Sequence, residues 1–252
     1  MLIDTHAHLN DDRYSSGKVE EIINKMTEHN LEKIISVGYD ILSSKKNIEI
    51  ANKYNNVFAS VGIHPGNIGD DVFKIEDIAK NPKVIAIGEI GLDYHYENIN
   101  KEKQKEVFIS QIRLAHKLKL PIIIHLRDAY SDMLQILKEN KEFLIYGAVV
   151  HCYSGSLEFA KELIKLGLYI SFTGVITFKN AKKSLEVIKE MPLDRIMIET
   201  DCPYLCPEPF RGSLNEPKFV NLVFEKICEI KNIEKLELEK ILRENVRKFF
   251  NI

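Results

Sequence analysis

Short apolar runs rich in isoleucine and valine alternate with longer segments of helical period eight times along the chain, and few folds accommodate that pattern. The apolar runs begin at the amino terminus and recur at residues 33–38, 57–64, 84–93, 121–125, 144–151, 168–172 and 195–201. Between them, helices are expected over residues 18–29, 43–54, 70–80, 101–118, 131–140, 156–166 and 182–190. The clearest is 101–118, with Val107, Phe108, Gln111, Ile112, Ala115 and Leu118 at helical spacing. A proline-containing loop over 203–217 and two further helices complete the chain. Runs that are apolar on both faces belong to a parallel sheet covered by helices, and eight βα units close naturally into a (β/α)8 TIM barrel. The 252 residues suit one such barrel, so residues 1–252 are expected to be a single domain.

Charge and cysteine usage narrow the function classes. The chain carries 35 basic and 37 acidic residues, a net charge of −2, so no global field draws it to nucleic acid. Phosphate recognition would have to come from local cations or bound metal. Four cysteines are too few for a disulfide framework at this length. No basic stretch leads into an apolar core at the amino terminus, and no apolar run approaches membrane-spanning length. The expectation is a cytoplasmic protein without membrane association or an obligate protein partner.

In a TIM barrel the active site lies at the carboxyl ends of the strands, so the residues there matter most. His6 and His8 end the first run, His64 the third, Glu89 lies in the fourth, and His125, His151 and Asp201 end the fifth, sixth and eighth. Five of the eight histidines thus fall at strand ends, whereas His29 and His116 lie in helices and His95 just beyond the fourth strand. Imidazoles with carboxylates suit zinc and related divalent ions, or manganese where oxygen ligands dominate. His6, His8, Glu89, His125, His151 and Asp201 exceed what one tetrahedral ion needs. They fit two ions roughly 3.5–4 Å apart, with Glu89 bridging, His6, His8 and Asp201 on one ion and His125 and His151 on the other. On a strand, Asp4, His6 and His8 share a face, which sets Asp4 beneath the histidines.

These residues sit in stretches that resemble the TatD family of metal-dependent deoxyribonucleases, within the amidohydrolase-like barrel superfamily. The resemblance spans the chain and rests chiefly on LIDTHAHLN from Leu2, LPIIIHLRDA from Leu120 and IETDCPYL from Ile198. GEIGLD from Gly88, GIHP from Gly62 and RGSLNEP from Arg211 agree with it. It implies divalent-metal-dependent hydrolysis of DNA phosphodiester bonds, often exonucleolytic. Related phosphotriesterase-like enzymes tend to carry a carboxylated lysine at the Glu89 position, so a plain glutamate favours the TatD branch. Cys202 departs from the smaller residue usual in the family, and with Cys206 four residues on it offers a conceivable zinc-binding pair.

The expected mechanism uses two divalent ions (zinc, manganese or magnesium), with Asp201 as ligand and general base, Glu89 as bridge and His64 near the reacting phosphate. His64, Arg127 and Arg211 are the candidate phosphate-binding groups, although Arg127 has Asp128 and Asp132 as nearby ion-pair partners. Asp4 and Glu199 are expected to orient the histidines and the metal. Tyr94, His95, Tyr204 and Phe210 are candidates for base stacking. Without a basic stripe, a single strand or a strand end is the better-fitting DNA substrate. A C–N or lactone hydrolase acting on a small molecule shares the same ligands, and a non-catalytic metal-binding scaffold is the remaining class.

Overall fold

The computed structural model describes all residues, Met1–Ile252. Eight parallel strands form one sheet in sequential order: β1 Leu2–Ala7, β2 Leu31–Val37, β3 Val57–Val61, β4 Val84–Asp93, β5 Ile122–Arg127, β6 Ala148–Val150, β7 Tyr169–Phe172 and β8 Ile196–Ile198. The sheet closes where Ala7 bridges Cys202 in parallel, with Asp201 N–H donating to the His6 carbonyl at 2.9 Å and His8 N–H to that of Cys202 at 2.7 Å. The result is a (β/α)8 barrel.

Helices cover the outside: α1 Ser16–Asn24, α2 Ile41–Lys53, α3 Val72–Ile78, α4 Lys101–Leu118, α5 Tyr130–Glu139, α6 Leu157–Lys165, α7 Lys182–Glu190, α8 Val220–Lys231 and α9 Lys235–Phe250. Side-chain caps start several of them. Ser15 accepts from Lys18 N–H, Asp40 from Ser43 N–H, Asn100 from Lys103 N–H and Ser156 from Phe159 N–H. Helix α4 carries its apolar stripe inward, and Lys119, in the left-handed region at φ 58°, ends it.

Two apolar clusters divide the interior. The larger fills the layer between strands and helices. The smaller joins Ile3, Ile35, Ile85, Ile123, Val149 and Met197 of the strands with Val246, Phe249 and Phe250 of α9, so the final helix plugs the barrel. Chemistry is left to the opposite, carboxyl end.

Some strands end earlier than their apolar runs. β3 stops at Val61 because Ile63 leaves the ladder, and both its backbone groups bond the Gln111 side chain of α4. β6 keeps only Ala148–Val150 of the run over 144–151, since a 3-10 turn at Lys141–Phe143 and Gly147 at φ 107° occupy the approach. β8 ends at Ile198, so Asp201 stands three residues past it in a turn.

Candidate metal centre

Six side chains converge at the carboxyl end of the barrel, each delivered by a different structural device. His6 comes from β1 and His8 from the residue after it, where β1 shifts register against β2 between Asp4 and Ala7. Glu89 comes from the middle of β4 and His125 from β5. Gly91, at φ 145°, lets these two strands close up: a Cβ there would lie 2.0 Å from the His125 carbonyl oxygen. His151 follows β6, and Asp201, at φ 54°, turns its carboxylate back over the barrel.

Glu89 is buried at the centre and divides its oxygens between two groups of nitrogens. Oε2 faces His6 Nε2 at 3.6 Å and His8 Nε2 at 3.9 Å. Asp201 Oδ1 completes that group, 3.7 Å from His6 Nε2 and 3.3 Å from His8 Nε2, while the two nitrogens are 3.3 Å apart. Oε1 faces His125 Nδ1 at 2.6 Å and His151 Nε2 at 2.8 Å, and those nitrogens are also 3.3 Å apart. His6 and His151 stack at 4.0 Å across the divide.

The donor set fits divalent cations. Donors bonded tetrahedrally to one ion at about 2.0–2.2 Å stand roughly 3.3–3.6 Å from one another, close to the separations in the first group. The His8 ring donates from Nδ1 to the Val37 carbonyl at 2.8 Å, which leaves Nε2 as a lone pair aimed at His6 Nε2 and Asp201. Lone pairs facing each other in a buried space suit a shared cation. His6, His8 and Asp201 have ligand atoms close enough to share one ion, and so do His6, Glu89 and His151.

Charge within the site is finely opposed. Burial favours protonation of Glu89, but His151 and His125 hold its pKa well below the ordinary carboxylate range. Asp201, also buried, is held low by His8, His6 and His151. Against the cost of burial, Glu89 and Glu199 raise His151 well above the usual imidazole value, whereas burial lowers His6.

Around this centre the other expected residues take distinct places. Glu199 accepts the Cys152 N–H at 2.7 Å and sits 3.3 Å from His151 Nδ1, so it steadies the β6 end and its histidine. Asp4 does not reach an imidazole, contrary to the strand-face argument. The carboxylate accepts from Thr200 N–H at 2.9 Å, Thr200 Oγ1 at 2.6 Å and the His6 backbone N–H at 3.3 Å, so it ties the turn carrying Asp201 to β1. The register shift in β1 breaks the alternation that would have set Asp4 under the histidine rings. Asn215 braces the same turn, donating to the Thr200 carbonyl at 2.8 Å.

His64 enters the centre from the loop after β3, with Nε2 3.8 Å from Glu89 Oε1 and its ring edge-on to His125. The Gly66 N–H donates to His64 Nδ1 at 2.9 Å, which assigns the proton to Nε2 in the neutral ring. Burial pushes its pKa down to about 4. It is therefore a neutral donor aimed into the site.

Arg127 and Arg211 stand outside this cluster. Arg127 makes no ion pair with Asp128 or Asp132, which bond His95 and Lys105 instead; its guanidinium lies 5.6 Å from the Tyr96 ring centre. Arg211 lies 4.2 Å over Phe178. The hydroxyl of Tyr94 donates to Asp132, Tyr204 stands edge-on to His8 at 6.0 Å, and Phe210 packs on Phe219. Cys202 and Cys206 are buried free thiols that belong to none of the groups able to share a cation.

Asp93 is the site residue that strand-end reasoning missed. Its Oδ2 accepts from His125 Nε2–H at 3.0 Å, a buried carboxylate behind a candidate metal-binding imidazole. Gln104 of α4 clamps the Asp93 backbone, accepting its N–H at 2.9 Å and donating to its carbonyl at 3.0 Å. The signal available in the sequence was Gln104 and Gln111, two glutamines seven residues apart on the inward stripe of α4. Buried amides of that kind need partners, and here the partners are the backbones of Asp93 and Ile63.

Residues 3–251 match the family model described as TatD related DNase. An uncharacterized metal-dependent hydrolase of Bacillus subtilis, YabD, is 45% identical, with all of both chains covered. YcfH of Escherichia coli, also an uncharacterized metal-dependent hydrolase, is 36% identical over all of this chain and 96% of its own length. The crystal structure of YjjV, a TatD homologue from Escherichia coli, superposes with a TM-score of 0.93 at 30% identity, covering 100% of this chain and 98% of that one. Barrel, ligand cluster and whole-chain similarity agree: the chain belongs to the TatD family of metal-dependent hydrolases.

Proposed function

We propose that this protein hydrolyses phosphodiester bonds of DNA, working inward from a strand end, with two divalent cations held at the Glu89 centre. The observation that carries the two-cation reading is the division of Glu89, one oxygen toward His6 and His8 and the other toward His125 and His151. The family description, a TatD related DNase, supports the substrate class.

His6, His8, Glu89 and Asp201 would hold one cation, and Glu89, His125 and His151 the other. Bound there, the ions would lower the pKa of a shared water toward neutrality and offset charge on the phosphate oxygens. The side chains do the rest. Asp201, kept ionised by His8 and its neighbours, accepts the proton of the attacking water. His64 donates from Nε2 to a phosphate oxygen, and because it stays neutral it binds the ester without competing as a base. Glu199 and Asp93 keep His151 and His125 in register from behind. Arg127 and Arg211, at the rim, contact the strand on either side of the reacting phosphate.

The test is a time course on 5′- and 3′-end-labelled single- and double-stranded DNA with Mn2+, Mg2+ or Zn2+, run beside a dihydropyrimidine and lactone panel. Progressive shortening from one end, abolished in Glu89→Ala, is expected. Equal activity in that variant, or turnover of the small cyclic substrates in preference to DNA, would overturn the proposal.

A further inference from the structure

Most exposed lysines of this chain that sit near carboxylates are paired with them, as in Lys25–Glu21 at 2.9 Å, Lys80–Asp77 at 2.8 Å and Lys226–Glu229 at 2.8 Å. Others stand unpaired, and at the catalytic end of the barrel three such lysines fall within five residues. Lys179, Lys182 and Lys183, in the loop after β7 and the first turn of α7, are exposed and form no ion pair, and Arg211 of the loop after β8 is likewise unpaired. The two loops are fastened together. Arg211 lies over Phe178, Thr177 Oγ1 accepts the Glu208 N–H at 2.8 Å, and Gly174 packs so closely that a Cβ would meet the Leu205 carbonyl at 2.6 Å. The β7 loop also abuts the metal centre, since Thr173 Oγ1 is 3.4 Å from Sγ of Cys152, the residue after His151.

We infer that Lys179, Lys182, Lys183 and Arg211 form a phosphate-backbone track for single-stranded nucleic acid, holding nucleotides beyond the one being cleaved. The inference rests on the phosphodiesterase reading of the centre and adds where the rest of the strand lies. Two acidic residues lie nearby in sequence, Glu186 one helical turn on from Lys182 and Lys183 and Glu208 three residues before Arg211, but neither is ion-paired to the four cations, so the stretch keeps a net positive charge on a chain whose net charge is negative. A polyanion with charges spaced along it is the complementary ligand, and a strand whose reacting phosphate sits at the Glu89 centre must leave the mouth across one of the surrounding loops. Phe178 adds an aromatic surface beneath the Arg211 guanidinium. The track is sequence-independent, because its cations meet phosphates and an aromatic face accepts any base.

The experiment compares the wild-type holoenzyme with K179A/K182A/K183A, using K240A/K248A on the exposed side of α9 as a surface-charge control. Binding of a fluorescein-labelled 20-nucleotide phosphorothioate single strand is read by anisotropy from 50 to 300 mM salt, and bis(p-nitrophenyl) phosphate hydrolysis is measured in parallel. Loss of three phosphate contacts predicts about fiftyfold weaker binding near 0.15 M salt and a log–log salt slope shallower by about 2. The control should match wild type, and hydrolysis of the small diester should be unchanged. Triple-variant binding and slope within twofold of wild type would overturn the track. If wild type hydrolyses no phosphodiester but the triple variant still loses strand binding, the catalytic reading falls and the track stands.

Discussion

Replacing Asp93 with asparagine removes one negative charge and leaves a side chain of nearly the same shape. Asparagine can still accept from His125 Nε2–H, and Gln104 still clamps the backbone of residue 93, so the barrel should stay intact. What changes is the strength of a buried, charge-assisted hydrogen bond at 3.0 Å, which normally contributes about 1.5–3 kcal/mol against about 1 kcal/mol for its neutral counterpart. The difference passes to any cation that His125 binds through Nδ1, and partners of this kind typically tune metal affinity by about ten- to hundredfold. Isothermal titration of EDTA-stripped protein with Zn2+ should therefore show one class of site weakened by that factor. The deficit should also depend on pH. Asp93 and Glu89 together raise the His125 pKa against the effect of burial, so in wild type a proton competes with metal at this ring. Asp93→Asn relieves that competition, so its deficit should shrink below neutral pH and reach its full size as pH rises. Unchanged affinity, or a deficit independent of pH and matched by a fall in melting temperature, would refute the reasoning.

Other perturbations test separate parts of the account. In metal-free protein His151 has a raised pKa, so its stabilising contribution is full below the ordinary 6.5 and fades as pH rises through the folded value. Glu89 has a lowered pKa, and its contribution is lost only as pH falls through that value. Thermal melts of stripped and Mn2+-loaded protein should diverge as pH is raised from 6 to 9, because the stripped form weakens while the ligands lose the protons that compete with metal; a constant gap would contradict the assigned shifts. Thr200→Val removes the 2.6 Å bond to Asp4 and should cost about 1–3 kcal/mol in urea unfolding, with weaker metal binding through the displaced Asp201 turn. Phe249→Ala opens the plug at the closed end of the barrel and should cost about 3–5 kcal/mol while metal affinity holds, a dissociation that fails if the two ends are coupled. His64→Ala should lower kcat for DNA by roughly 100–1,000-fold and leave metal stoichiometry unchanged, since His64 serves as a neutral donor and not through the cation-sized group it forms with Asp93 and His125; a lost metal equivalent would refute that role.

Most of the architecture was legible because burial and backbone hydrogen bonding impose the same two periods on every βα unit. Helices α4 and α7 fall on residues 101–118 and 182–190, as their stripes predict, and β4 on 84–93. Strand ends were harder. Apolar residues such as Ile63 after β3 and Leu144 before β6 extend the hydrophobic run beyond the ladder, because they pack in turns whose backbone is satisfied elsewhere. At the centre, His6, His8, His125, His151 and Asp201 stood out by position, since strand ends of a barrel point to one place, whereas Glu89 lies within β4 and was singled out as a carboxylate between the histidine pairs. Asp93 was missed, and the partner of Asp4 was not foreseen, because the groups they bond lie 32 and 196 residues away. The stations of Arg127 and Arg211 were not legible either. Their chemistry suits phosphate, but the fold stations them on rim aromatics rather than among the ligands.

The central claim is that Glu89 joins two cations, and anomalous scattering from crystals grown with Mn2+ tests it directly. The account predicts two peaks roughly 3.5–4 Å apart on either side of the Glu89 carboxylate, one bonded to His6 and His8 and the other to His125 and His151. A single peak, or peaks that leave either histidine pair without a metal, would contradict it.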